Sequence, residues 1–413
     1  MIRVFLLSLW VSVIAEPSAL VAPEAGKEPP RATVVSDETV RAAVAKSLPF
    51  LETNGVAWMT ERECMSCHHV PFLVWSHRSA LRHGVTIDEK KLSEWEAWCR
   101  QNSADSRNRY RLQKYELGKV AEDMLPNPVR EKLSLLIDKP FHTQTEFRDA
   151  LRPLLTDDEL KLHETVIART AEHPLNHPDR SGGGLDVIAQ LLLASQGSSN
   201  ELTKAEFRRG LIDLMQELQR PDGSWMPGNQ LLSMRRMSVP VADQSTTMWV
   251  ALALAACETD RSQRSAILEK ALFFARQPSP APNNHEWLAT RLLFEKTFGT
   301  TADIETLRQQ LLSVRNSDGG WSWEPQLPSD PLSTGLAIYV LANVGGDHAD
   351  IFGDARRYLL STQHTDGSWP TPGRSFSNET DPVRLKGRDE IYHYWGTAWS
   401  AIGLLETLGK SGP

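Results

Sequence analysis

The stretch QRPDGSW, residues 219–225, returns twice along the chain, as RNSDGGW at 315–321 and QHTDGSW at 363–369. Trp321 and Trp369 are 48 residues apart, and Trp225 and Trp321 are 96 apart, twice that interval. A fixed period of this length is the mark of a two-helix repeat, with one degraded copy in the longer gap. That copy is legible as RQPSPAPNNHEW, 276–287. The Asp-Gly pair in each motif supplies a turn with a residue able to take positive φ, and the following Trp folds back over a helix end.

Each motif follows an amphipathic stretch and precedes one that is apolar nearly all round. A helix of the second kind must be buried on every side, so the pattern predicts an outer and an inner set. The predicted inner helices cover 69–81, 184–194, 245–256, 286–294, 333–342 and 396–405. Their outer partners are expected near 37–53, 156–172, 203–219, 261–276, 304–314 and 349–363. Six hairpins suffice to close a double ring. A charged segment at 88–150 breaks the period and is read as a helical insertion.

On these motifs the chain resembles the terpenoid cyclase and protein prenyltransferase superfamily, whose squalene cyclases repeat a Gln-x-x-Asp-Gly-x-Trp sequence. Gln219 and Gln363 match its first position, and Arg315 departs from it. The resemblance covers residues 37–413 and implies an all-α fold, an α6/α6 toroid. It also implies a ligand cavity in the ring, its mouth lined by the loops that lead into the inner helices. It specifies fold far better than chemistry.

The chain of 413 residues has a formal charge of -7, so no broad basic field supports a nucleic-acid partner. Residues 1–15 have the charge, the apolar run VFLLSLWVSVIA and the small-residue end of a secretory signal peptide. Residues 16–36, rich in Pro, Ala and Glu, are expected to form a disordered leader. No later segment has the length and hydropathy of a transmembrane span, so a periplasmic or extracellular protein is expected.

ECMSCHH, residues 63–69, stands just before the first inner helix. Cys64, Cys67 and His68 have the Cys-x-x-Cys-His spacing of covalent haem c, in which two thiols bond the porphyrin and the adjacent imidazole ligates iron. Met59, His77, His83 and Met124 are the candidate distal ligands. Two other chemistries stay open. One is zinc, held by Cys64, Cys67 and His68 or His69 with a fourth ligand such as Cys99 or His77. The other is a disulfide between Cys64 and Cys67, which an oxidising compartment favours. The partner implied by haem is a redox protein.

The family's cyclases protonate an alkene with an Asp-x-Asp-Asp-Thr acid. VADQST, 241–246, keeps only Asp243 of that motif. Asp243 is therefore the candidate catalytic acid, although a helix N-terminal cap accounts for it more simply, as one does for Asp330. Trp323, Tyr394 and Trp395 lie beyond the repeated turns in long connecting loops and are the expected cavity wall for an apolar small molecule. His173 with His177, His285-Glu286 and SGGGLD at 181–186 lack the context that metal or dinucleotide sites require.

Overall fold

Fifteen helices run through the described residues of the computed structural model, which are 35–62, 69–105, 125–136, 144–172, 185–196, 205–227, 237–257, 261–278, 284–373 and 382–408. In order they are α1 (Asp37–Arg62), α2 (His69–Arg82), α3 (Glu89–Asp105), α4 (Asn127–Ser134), α5 (Gln144–Leu151), α6 (Asp157–Glu172), α7 (Leu185–Ala194) and α8 (Ala205–Glu217). There follow α9 (Val239–Ala256), α10 (Arg261–Ala275), α11 (His285–Phe298), α12 (Thr301–Ser313), α13 (Pro331–Val344), α14 (Ala349–Thr362) and α15 (Pro382–Glu406). Residues 1–34, which hold the expected signal peptide and most of the expected leader, lie outside the described residues.

The inner ring is α2, α7, α9, α11, α13 and α15, each packed on the next, with α15 packed back on α2. These six are the helices whose apolar pattern predicts burial all round. Ser400 donates to the Pro331 carbonyl and Gly403 abuts Gly335, so α13 and α15 run parallel. The outer ring is α1, α3, α8, α10, α12 and α14. The fold is an α6/α6 toroid.

One outer position differs from the sequence expectation. The helix placed between α2 and α8 is α3, inside the segment read as insertion, and not α6 at 157–172. Leu92, Trp95 and Cys99 give α3 an apolar stripe at i, i+3 and i+7, and all three are buried in the main core. Residues of α4, α5 and α6 close a second apolar cluster around Leu133, Leu151, Leu155 and Val166. The helical excursion from the ring therefore begins after α3 and includes α6.

Each repeated turn is fastened in three directions. The indoles of Trp225, Trp321 and Trp369 donate to the carbonyls of Met215, Leu311 and Leu359 at 2.6, 2.8 and 2.7 Å, each ten residues back on the outer helix. Their backbone amides donate to Thr247, Thr334 and Thr397 on the following inner helix, at 3.2, 2.9 and 2.9 Å. The third direction is sideways. Gln219 donates to the Ile267 carbonyl of α10 at 2.9 Å and Gln363 to the Ala43 carbonyl of α1 at 2.8 Å. Arg315, the departure from the motif, reaches Asp354 of α14 by an ion pair at 3.3 Å. All three thus bridge to the next outer helix.

The 276–287 copy keeps no such staple. Trp287 donates instead to Gln244 of α9 at 3.0 Å, and Arg291 donates to the Ala275 carbonyl of α10 at 2.6 Å.

Closure joins the last motif to the first helix. Besides Gln363, Lys46 donates to the His364 carbonyl at 3.0 Å, and Arg356 of α14 pairs with Asp37 at 3.0 Å while donating to the Val35 carbonyl at 3.2 Å. Gly367 takes φ 88°, and a Cβ there would overlap the Lys46 carbonyl of α1. Gly345 also has positive φ, 78°, but open space around it. Gly345, with ψ 174°, is in an extended positive-φ conformation, so Gly345→Ala is expected to cost about 1–3 kcal/mol from backbone strain alone. Gly367→Ala adds a backbone collision and should cost about 3 kcal/mol or more in urea unfolding. Equal losses at the two positions would contradict the closure contact.

Candidate functional site

The haem-like motif, including Cys64, Cys67 and His68, lies outside the described residues, but both of its flanks are placed. α1 ends at Arg62 and α2 begins at His69. The His69 ring is clamped between Trp58 and Tyr394, with centroids 4.0 and 4.2 Å away and planes within 11° and 17° of parallel. The Tyr394 hydroxyl also donates to the His69 carbonyl at 2.8 Å. Gly55 of α1 is needed beneath it, since a Cβ there would meet that hydroxyl at 2.8 Å. The residue next to the motif is held by the first and the last hairpin of the ring.

Of the candidate distal ligands, His77 turns Nδ1 to the Leu73 carbonyl at 2.8 Å and packs edge-on against Trp95. Burial lowers its pKa to about 4, so it is neutral. His83 likewise holds the Ser79 carbonyl at 2.9 Å. Met59 is partly buried against the core, and Met124 lies outside the described residues. Cys99 is fully buried, and burial pushes its thiol up, against the thiolate that zinc needs. Among the described residues no group of three His, Cys, Asp or Glu is placed to hold a metal ion.

Asp243 is not a cap. α9 starts four residues earlier, at Val239, where Pro240 suits the first turn. Asp243 instead pairs with Arg220 of the repeated turn at 2.9 Å, and Arg220 also donates to Ser224. That contact and the Thr247 bond to its carbonyl place Asp243 on the side of α9 that meets the repeated turn. Asp330 does cap its helix, accepting from the Ser333 and Trp323 amides at 2.8 and 3.0 Å.

Trp323 stands in the link between α12 and α13, as expected. Tyr394 and Trp395 do not stand in a loop, because α15 begins at Pro382 and includes them. Thr397 turns outward to the Trp369 amide, so Trp395 and Trp399, two residues to either side, face the ring interior. Trp395 meets Trp323 and Phe72 at centroid distances of 6.1 and 6.2 Å, and Trp399 meets Phe72, Trp75 and Tyr339 at 5.1, 5.3 and 5.3 Å. This is one aromatic wall, while Tyr394 belongs to the His69 clamp. His285, dismissed as a metal ligand in the sequence, is a fully buried imidazole whose amide donates to the Trp323 carbonyl at 3.0 Å. Burial lowers its pKa to about 4.

No protein-family model matches the chain. A stretch of 71 residues is 39% identical to drimenyl diphosphate synthase of Streptantibioticus cattleyicolor. That match covers 17% of this chain and only 13% of the synthase. Among solved structures, a glycosidase variant in complex with glucose aligns over 91% of this chain and 99% of its own, with TM-score 0.48 and 13% identity. A type II terpene cyclase variant from Scytonema, in complex with geranylgeranyl dihydroxybenzoate, aligns over 89% of this chain and 98% of its own, with TM-score 0.30 and 12% identity. Among the described residues no helix is long and apolar enough to cross a membrane.

The buried titratable groups set how stability depends on pH. His77 and His285 are neutral in the fold with pKa near 4 and would protonate near 6.5 when unfolded. Between those values the unfolded chain binds more protons, so stability falls as pH drops from 6.5 to 4. Each imidazole contributes up to about 1.4 kcal/mol per pH unit. Urea titrations of His77→Gln with His285→Gln should show a flatter slope in that window. For the Arg220–Asp243 pair, a double-mutant cycle of Arg220→Gln and Asp243→Asn should give a coupling of about 1–3 kcal/mol, as expected of a partly buried pair.

Proposed function

We propose that the protein is a toroidal scaffold that carries c-type haem on Cys64, Cys67 and His68 and serves as a redox or haem-binding module. The observation that supports this most is the His69 clamp. It fixes the residue after the motif to α1 and α15, so a group bonded to the two thiols would be anchored to the ring. The donor set fits the group: two thiols for its vinyl substituents and an imidazole for iron. Bound haem would supply one-electron chemistry. Export belongs to the same reading, with the signal peptide of residues 1–15 delivering the chain to a periplasmic or extracellular site.

A cyclase-like reading draws on the short likeness to drimenyl diphosphate synthase and on the aromatic wall. It is the weaker of the two, because Asp243, the one acid kept from the cyclase motif, is paired with Arg220 of the repeated turn.

The test is a pyridine haemochrome spectrum of the full chain, expressed with its export signal in a host competent for c-type maturation. Haem that stays with the denatured protein, and is lost in Cys64→Ser with Cys67→Ser, is the expected result. A colourless protein from that host, holding one zinc or a Cys64–Cys67 disulfide, would overturn the proposal.

A further inference from the structure

The repeated turns can be compared position by position. In the first, Arg220 stands second in the motif and Asp243 stands four residues before the stapling Thr247. The two form an ion pair at 2.9 Å, and Arg220 also donates to Ser224 at 3.2 Å. In the last turn the same two positions hold His364 and His393, the latter four residues before Thr397. Thr247 and Thr397 donate to the carbonyls of Asp243 and His393 at 2.7 and 2.8 Å, so the register is the same. In the middle turn the positions are Asn316 and Asp330, which bond within their own link, to Leu327 and Ser329 and to the Ser333 amide. Of the three turns, the one that closes the ring is the one with imidazoles at both positions.

The two rings lie where the last turn meets α1. Their centroids are 6.5 Å apart, and Phe50 of α1 packs on the half-buried His393 at 5.0 Å. The buried Ser368 hydroxyl donates to the Asp366 carboxylate at 2.7 Å. At 2.8 Å from that hydroxyl, His393 Nε2 is therefore the donor, and Nδ1 is the nitrogen left to take a proton. From the turn, Asp366 and His364 act on His393. From α1, Lys46 reaches the His364 carbonyl at 3.0 Å. On α15 itself, Asp389 accepts from the Gly373 amide at 2.7 Å and Glu390 pairs with Lys386 at 3.9 Å. A proton on each imidazole would set two positive charges side by side at the seam, next to Lys46.

We infer that His364 and His393 form an acid-sensitive latch, which holds the last turn to α1 at neutral pH and lets that seam part first when the medium turns acid. The first turn, fastened by the Arg220–Asp243 ion pair, has no imidazole at these positions and lacks the response. Burial lowers the His393 pKa below its ordinary value of 6.5, against the pull of Asp366 and with the push of His364. A parted seam thus takes up the proton more readily than a closed one. Closure is at full strength above 6.5 and weakens as pH falls from there. At neutral pH the latch holds and the ring opens as one unit. Tyr394, the next residue along α15, clamps His69, so a parted seam would also loosen the segment beside the Cys64–His68 motif, whatever that motif binds.

The test is hydrogen exchange of the full chain, read by mass spectrometry at about pH 7.5 and about pH 5.5 with the intrinsic exchange rate divided out. On acidification, peptides spanning 363–369 are expected to lose about three- to tenfold more protection than those spanning 219–225 and 315–321. His77 and His285 weaken the whole fold with acid, and so lower all three turns alike. His364→Arg with His393→Asp carries the ion pair of the first turn into the last and should abolish the difference. His393→Gln, which keeps a donor for Ser368, should do the same. Equal loss at the three turns of the unsubstituted protein would overturn the inference, and that result needs no variant to fold. A loss confined to 363–369 that persists in both variants would overturn it too, since the imidazoles would not be its cause.

Discussion

The constraint on which the toroid depends is the indole hydrogen bond of each repeated Trp. It spans ten residues back to an outer-helix carbonyl, while the same residue's amide is held by a Thr of the inner helix. The turn between them cannot open without breaking both bonds in a region closed to water, where the orphaned groups would find no replacement. Because Gln219, Arg315 and Gln363 reach sideways to the next outer helix, the same turn also sets the angle between neighbouring hairpins. The third of these reaches α1, and a stack of repeats becomes a closed ring. Truncating a buried Trp of this kind to Ala costs about 3–5 kcal/mol before any effect on closure.

What the sequence showed and what it hid have physical reasons. A helix buried on all sides has no polar face, so the six inner helices were legible from composition and period. The Asp-Gly-x-Trp turns were legible because positive φ and close backbone approach leave few residue choices. The outer position filled by α3 was harder to see, since a stripe of three residues, Leu92, Trp95 and Cys99, is diluted by charged neighbours. The broken 48-residue spacing favoured 156–172 in its place. Asp243 looked like a cap because a short polar residue before an apolar run is the usual cap signal, and Pro240 moved the helix start upstream. Tyr394 and Trp395 looked like loop residues because GRDEIYHYW is polar enough to read as a connection, yet it continues α15 by more than two turns.

The candidate sites differ in the same way. Cys64, Cys67 and His68 were visible because their chemistry is written in local spacing. The His69 clamp was not, since Trp58 and Tyr394 lie on helices far apart in the chain and meet only when the ring closes. The buried polar side chains of the inner helices were hidden for the opposite reason. Gln190 and Thr290 sit singly in apolar segments, where one polar residue among many carries no pattern. Ring closure builds the clamp beside the motif and brings Trp395 and Trp399 against Phe72 of α2.

Closure makes the hairpins a single cooperative unit rather than a row of separable repeats. Hydrogen exchange of the Trp225, Trp321 and Trp369 indole N–H groups, followed by NMR with nitrogen-labelled tryptophan, tests it most directly. One opening free energy is expected for all three, equal to that of global unfolding. Three distinct and lower values, rising from one end of the chain to the other, would show that the repeats open one by one and would contradict it.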